Sequence, residues 1–240
     1  MIRPDNAARV RSVVLLAAVV AALVAINLTA HLAGSPVAVL AVPLGAVIVV
    51  GVARLVGLQW REMGLSRGEL RSGVPYAVAA VVAVFGIVTV AVAIPATRQF
   101  FLSDRFDSAT AALFAALVTI PLQTVLPEEL LFRGVLQGSL GRLFGVRTTL
   151  GLGAAAFGLW HVGSSMGLTE GNEGLRSVLG SGAIGQILGI AGAVAATTAA
   201  GFVFGWLRHR TTSLLAPVAL HWALNATGAV GAAVAWHLPS

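Results

Sequence analysis

PLQTVLPEELLFRGVLQ, residues 121–137, sets two adjacent carboxyls, Glu128 and Glu129, and the guanidinium of Arg133 inside a stretch otherwise apolar enough to cross a membrane. An ionised side chain at the bilayer centre costs about 2.5–3.5 kcal/mol on insertion scales, so such groups face protein, find partners and mark functional sites. Two further apolar stretches carry the same anomaly, one at His161 and one at His221 with Asn225. Together they predict a polar reaction centre inside an all-α bundle of transmembrane helices.

The rest of the composition agrees. The 240 residues are 58% hydrophobic and 10% charged, against about 25% charged in a soluble domain. Mean hydropathy is +0.92. The length suits one integral-membrane domain, residues 1–240, with the motif-bearing core at about 108–236. There is no cysteine, which excludes disulfides, thiolate nucleophiles and cysteine-bound metals. All fifteen basic residues are arginine. They fall in loops at alternate ends of the spans, so the net charge of +6 reads as a topology signal and nucleic acid is not an expected partner.

A helix needs about 20 apolar residues to span a bilayer. Seven stretches qualify: Ser12–Leu32, Val37–Ala53, Val74–Ala96, Ala109–Leu140, Thr148–Ser164, Val178–Leu207 and Ser213–Trp236. An eighth span follows if the sixth stretch divides. Arg3, Arg9 and Arg11 precede the first span, and Arg54, Arg61, Arg67 and Arg71 fill the second connection. Arg142 with Arg147, and Arg208 with Arg210, fill later ones, whereas Arg98 and Arg105 are offset by Asp104 and Asp107. The alternation places the N-terminus in the cytoplasm. The first span is longer than the apolar core of a signal peptide and is expected to be retained.

Local signals refine this map. Ser66 and Glu69 have capping-box spacing, with Leu65 and Leu70 as a staple. Gln59–Arg71 reads as a short interfacial helix or a solvated loop. Asp107 and Ser108 are candidate caps for the fourth span. The pairs Gly134/Gly138, Gly185/Gly189 and Gly201/Gly205 permit close helix contact.

Glu129 and Arg133, Phe157 and His161, and His221 and Asn225 are each four residues apart and share a helix face. Glu129 can pair with Arg133 and support the site, while Glu128 is left to act chemically. Pro127 removes a backbone donor just before the pair and predicts a kink. At about 1.5 Å per residue, Glu128 lies about 20 Å from Gly141, His161 about 21 Å from Arg147 and Asn225 about 20 Å from Thr212. These depths let all of them meet at one level, with His221 a turn nearer the cytoplasm. Phe157 reads as a wall beside the site, and Trp160 and Trp222 as core or belt residues.

A carboxylate and an imidazole can hold and deprotonate water. A second imidazole and a carboxamide can donate to a developing oxyanion. Amide hydrolysis follows, with Glu128 as base and then acid, His161 orienting the water, and His221 and Asn225 on the oxyanion. A zinc ion held by Glu128, His161 and His221 is the competing arrangement, and the residues alone leave that choice open.

EELLFR at 128–133, FGLWH at 157–161 and HWALN at 221–225 take the forms EExxxR, FxxxH and HxxxN, in that order and in separate spans. This set resembles the CAAX-protease and bacteriocin-processing (CPBP, or Abi) family of intramembrane endopeptidases. The motifs occupy Pro121 to Asn225, under half of the chain. The resemblance implies a helical membrane protease whose recessed site opens toward the cytosol. It places the catalytic carboxyl at Glu128, supporting roles at Glu129 and Arg133, and further site residues at His161, His221 and Asn225. It implies either a metal-independent glutamate protease, the reading preferred, or a zinc enzyme. The expected partners are the lipid bilayer and a membrane-associated peptide or protein, with or without a lipid tail. The expected location is a multi-pass protein in a prokaryotic plasma membrane. Eukaryotic relatives trim prenylated CAAX proteins, whereas many prokaryotic relatives are tied to peptide maturation or bacteriocin self-immunity, so membership leaves the substrate open. The alternative to an enzyme is a non-catalytic scaffold or a bacteriocin-immunity binding protein.

Overall fold

The computed structural model describes residues 6–102, 106 and 108–238, all of whose regular elements are helical. Arg3, Asp104, Arg105 and the proposed cap Asp107 lie outside the described residues. The elements are α1 (Asn6–Leu32), α2 (Val37–Leu55), α3 (Arg67–Ala93), α4 (Ala109–Gly141), α5 (Val146–Trp160), α6 (Glu173–Leu179), α7 (Gly182–Thr211) and α8 (Leu215–His237). Neighbours along the chain pack as antiparallel pairs: α1 on α2, and α7 on α8. Two longer-range pairings, α3 on α8 and α5 on α7, complete the bundle.

Large apolar side chains point outward, Ile48, Val82, Leu117 and Ile187 among them, each more than 60% exposed. In water that surface would be unstable, so its natural solvent is lipid. The interior is built from small residues. α8 buries Ala216, Ala223, Ala226, Ala229 and Ala232, which let α3, α4 and α7 approach its axis. The bulkier core lies between α1, α2 and α4, where Leu15, Val19 and Val49 meet Leu131, Val135 and Leu140.

Among the described residues six helices are long and apolar enough to cross a membrane, and the protein is an integral, multi-pass one. The expected fifth span differs. α5 has 15 residues, about 22 Å, which is less than the roughly 30 Å hydrocarbon thickness. The expected sixth span does not divide. α7 is a single 30-residue helix, and Val178 belongs to the separate α6, set off by Gly180 and Gly182 at φ 81° and 78°.

α4 carries the Pro121–Gln137 stretch and is not a uniform α-helix. Residues Ala115–Val125 and Leu130–Leu136 run with wide, i→i+5 turns on either side of an α-helical turn, Leu126–Glu129. Pro121 and Pro127 lack the amide hydrogens that would hold an α-helical ladder there. Such wide turns gather at functional sites.

At its start Ser108 caps α4 as expected, accepting from the Ala111 amide at 3.2 Å. α3 starts where predicted, but Ser66 Oγ donates to the Glu69 carboxylate at 2.7 Å instead of capping a backbone amide. The interfacial helix at Gln59–Arg71 is not formed. Residues 57–65 are a folded turn with Leu58 and Met63 fully buried, and the helix begins only at Arg67. Gly138 and Gly201 do meet neighbouring backbone, at Glu62 and Ala154.

Candidate active site

Glu129 is fully buried and forms the anchor of the site. Its Oε1 accepts from Arg133 Nη1 and from His221 Nδ1, both at 3.0 Å. Arg133 also donates to the Gly201 carbonyl at 3.3 Å, and its guanidinium lies 4.0 Å from the Phe157 ring centre and 4.9 Å from that of Phe204. The charge is thus covered by a carboxylate, a carbonyl and two ring faces, as a buried arginine requires.

Glu128 points the other way. Its Oε1 accepts from Trp160 Nε1 at 3.1 Å. Its Oε2 is buried with no hydrogen-bond partner. That oxygen stands 3.9 Å from His221 Nε2 and 4.0 Å from His161 Nε2. His161 Nδ1 lies 2.7 Å from the Phe157 carbonyl oxygen.

A carbonyl only accepts, so His161 Nδ1 carries the hydrogen. The Arg133-paired carboxylate of Glu129 only accepts as well, so His221 Nδ1 carries one too. Both rings therefore turn Nε2 toward Glu128 Oε2. Two hydrogen bonds of about 2.8 Å meeting at about 90° span about 4.0 Å, so one water fits between Glu128 and either ring.

Phe157 and Phe204 hold the imidazoles. Phe157 meets His161 and His221 edge-on at 4.6 and 5.8 Å, and Phe204 stacks on His221 at 5.0 Å. Asn225, one turn beyond His221 on α8, lines the same cavity, whose volume is about 780 Å³. Glu128, His161, His221 and Asn225 are thus brought to one cavity, with Phe157 in its wall and Glu129 and Arg133 behind them.

Trp160, read from sequence as a core or belt residue, is a direct partner of Glu128. The available signal was its indole N–H, which needs an acceptor in any dry span. Phe204 carried no signal, being one phenylalanine in an apolar helix.

Two imidazoles and a carboxylate are a zinc-type donor set. Around a tetrahedral zinc with bonds near 2.1 Å, donor atoms stand about 3.4 Å apart. The separations here are 3.9 and 4.0 Å, and among the described residues no three His, Cys, Asp or Glu are placed to hold a metal ion. As placed, Glu128, His161 and His221 do not form a cage for the ion.

No curated protein and no solved structure gives a significant match to the chain. A sequence profile described as type II CAAX prenyl endopeptidase Rce1-like matches residues 108–227, half of the chain and all three motifs. With those motifs gathered around one cavity in a helical membrane bundle, the chain belongs to the Rce1-like family of CAAX proteases.

Proposed function

We propose that the protein is an intramembrane endopeptidase that hydrolyses a peptide bond of a membrane-associated substrate with water activated by Glu128. The arginine-rich loops support an N-terminus in the cytoplasm. The observation that carries the reading is the buried, unpartnered Glu128 Oε2 facing two Nε2 atoms at 3.9 and 4.0 Å. Membership of a protease family supports the reaction class.

Water sits between Glu128 Oε2 and His161 Nε2. Its oxygen attacks the carbonyl carbon while one hydrogen passes to Glu128, and the carbonyl electron pair moves to the oxygen. Glu128 then gives that proton to the amide nitrogen, the C–N bond breaks, and a carboxylic acid and an amine leave. A positioned base of this kind contributes about 10²–10⁴-fold.

Three acceptors, Glu128 Oε2 and the two Nε2 atoms, surround a water with only two hydrogens. One further proton completes the set. We place it on His221 Nε2, because the Glu129 carboxylate lies against the opposite side of that ring. So charged, His221 donates with Asn225 to the oxyanion, where one donor is worth about 10²–10³-fold.

The test is cleavage of a fluorogenic prenylated peptide and of a membrane-peptide library by purified protein. Glu128→Gln keeps the side-chain shape and should lose at least about 100-fold in kcat with its melting temperature retained. Wild-type activity should survive a chelator. Normal cleavage by Glu128→Gln removes the glutamate mechanism, and loss with chelator restored by zinc would make Glu128, His161 and His221 ligands.

A further inference from the structure

The cavity has a direction. Its floor is Glu128, Phe204 and His221, within α4, α7 and α8 and, for the last two, about 10 Å from the arginine-rich ends of their helices. Its rim includes His31 and Ala38 at the α1–α2 turn, Phe106 ahead of α4, and Ser164 beyond α5. All four belong to one end of the bundle. Beneath the floor, toward the other end, Arg133, Val135, Leu136 and Leu140 are buried and close the path.

The two ends differ in charge. The closed end holds Arg9 and Arg11, Arg54 to Arg71, Arg142 with Arg147, and Arg208 with Arg210: ten arginines against Glu62 and Glu69. The rim end holds, among the described residues, Arg98 and Arg176 against Glu170 and Glu173. Arginine-rich connections stay in the cytoplasm.

The short α5 is an independent sign of where water enters. Gly158 packs on Thr198, so His161 lies about level with Val194 and about 18 Å inside the start of α7. The chain from His161 onward is turns and short helices bearing Ser164, Ser165, Thr169, Glu170 and Asn172. Asn172 ties it to the Phe100 carbonyl at 3.0 Å, at the rim end. Non-helical backbone at membrane depth is stable only in protein or beside a wet cavity.

We infer that the cavity opens on the non-cytoplasmic face, so that the bond cut at Glu128 belongs to an exported peptide or to the outer juxtamembrane segment of a membrane protein. This is opposite to the cytosolic opening that the resemblance implies. The substrate half rests on the proposed protease activity; the sidedness does not.

The chain has no cysteine, so single-cysteine variants report sidedness without background. Ser164→Cys and Glu170→Cys mark the rim end and Arg147→Cys the closed end, all three at exposed positions. Each is expressed in bacterial cells and treated as intact spheroplasts with a membrane-impermeant maleimide. The two rim-end variants should label at once, and Arg147→Cys only after permeabilisation. The reverse pattern overturns the inference. Wild-type protein in right-side-out vesicles should cleave peptide added outside, and inside-out vesicles should not. Cleavage in inside-out vesicles alone also overturns it. Expected labelling with no cleavage in either orientation overturns the exported substrate and the protease reading while the sidedness stands.

Discussion

His221 gives its Nδ1 hydrogen to Glu129, 3.0 Å away, and so turns Nε2 toward Glu128 Oε2 at 3.9 Å. The two adjacent carboxyls therefore act on opposite sides of one imidazole. Glu129 fixes the ring's orientation and Glu128 shares its reactive edge. The roughly 100° that separates neighbouring residues on a helix is what lets a Glu-Glu pair do both.

Trp160 should tune the rate without governing binding. Trp160→Phe keeps a ring against Phe132, 5.3 Å away, and removes the N–H that Glu128 Oε1 accepts at 3.1 Å. A hydrogen bond to a charged group is worth about 1.5–3 kcal/mol, so kcat should fall about 10- to 100-fold with KM little changed. Steady-state kinetics decide this, and an unchanged kcat would reduce Trp160 to packing.

Arg133 should be required for folding chiefly because Glu129 is charged. Arg133→Met strands a buried carboxylate and should cost about 3–5 kcal/mol. Adding Glu129→Gln removes the stranded charge and leaves an oxygen to accept from His221. The double variant should melt above the single one in detergent. Equal melting temperatures would show that Arg133 matters for filling the space between Phe157 and Phe204 instead.

Gly158 should tolerate no side chain. A Cβ there would overlap the Thr198 hydroxyl and stand 2.9 Å from the Val194 carbonyl oxygen. Gly158→Ala must push α5 from α7, costing about 1–3 kcal/mol as overpacking does, and His161 moves with α5. Both the melting temperature and kcat should drop; a normal kcat would mean that the position of His161 is set elsewhere.

The Glu62–Arg142 pair should make stability fall in acid. Arg142 Nε and Nη2 donate to the two Glu62 oxygens at 2.7 Å each. Burial pushes the Glu62 carboxyl up, but the Arg142 hydrogen bonds, the Gln59 amide and the charges of Arg142 and Arg54 outweigh it and hold it below the ordinary 4.5. A lowered carboxyl adds stability above its unfolded value and loses it as pH falls through the folded value. The pair is partly exposed, so about 1 kcal/mol is at stake. Glu62→Gln should melt lower than wild type at neutral pH, and the gap should narrow as pH falls below about 4.5; a gap independent of pH would refute the charge account.

The polar centre was legible because charge and imidazole are conspicuous in apolar helices. Spacing of four put Glu129 with Arg133 and His221 with Asn225, and the depth count brought three helices to one level. The end of α5 was not legible, since Val162 and Met166 continue the apolar pattern past Trp160. What stops the helix is tertiary: Gly163 lies against His31, and the left-handed Gly167 turns the chain. The wide turns of α4 were hinted at by Pro127, but their extent depends on packing. The capping box failed because Ser66 and Glu69, in reach of each other, bonded directly.

A cavity that reaches Glu128 from one face has an electrical consequence. Where water enters, little voltage is lost, so the membrane potential drops mainly across the sealed half from Glu128 to the arginine-rich loops. Glu128 then exchanges protons with the compartment at the rim and sits near its potential. Acidifying that compartment should change turnover at once, while acidifying the other should leave it unaltered.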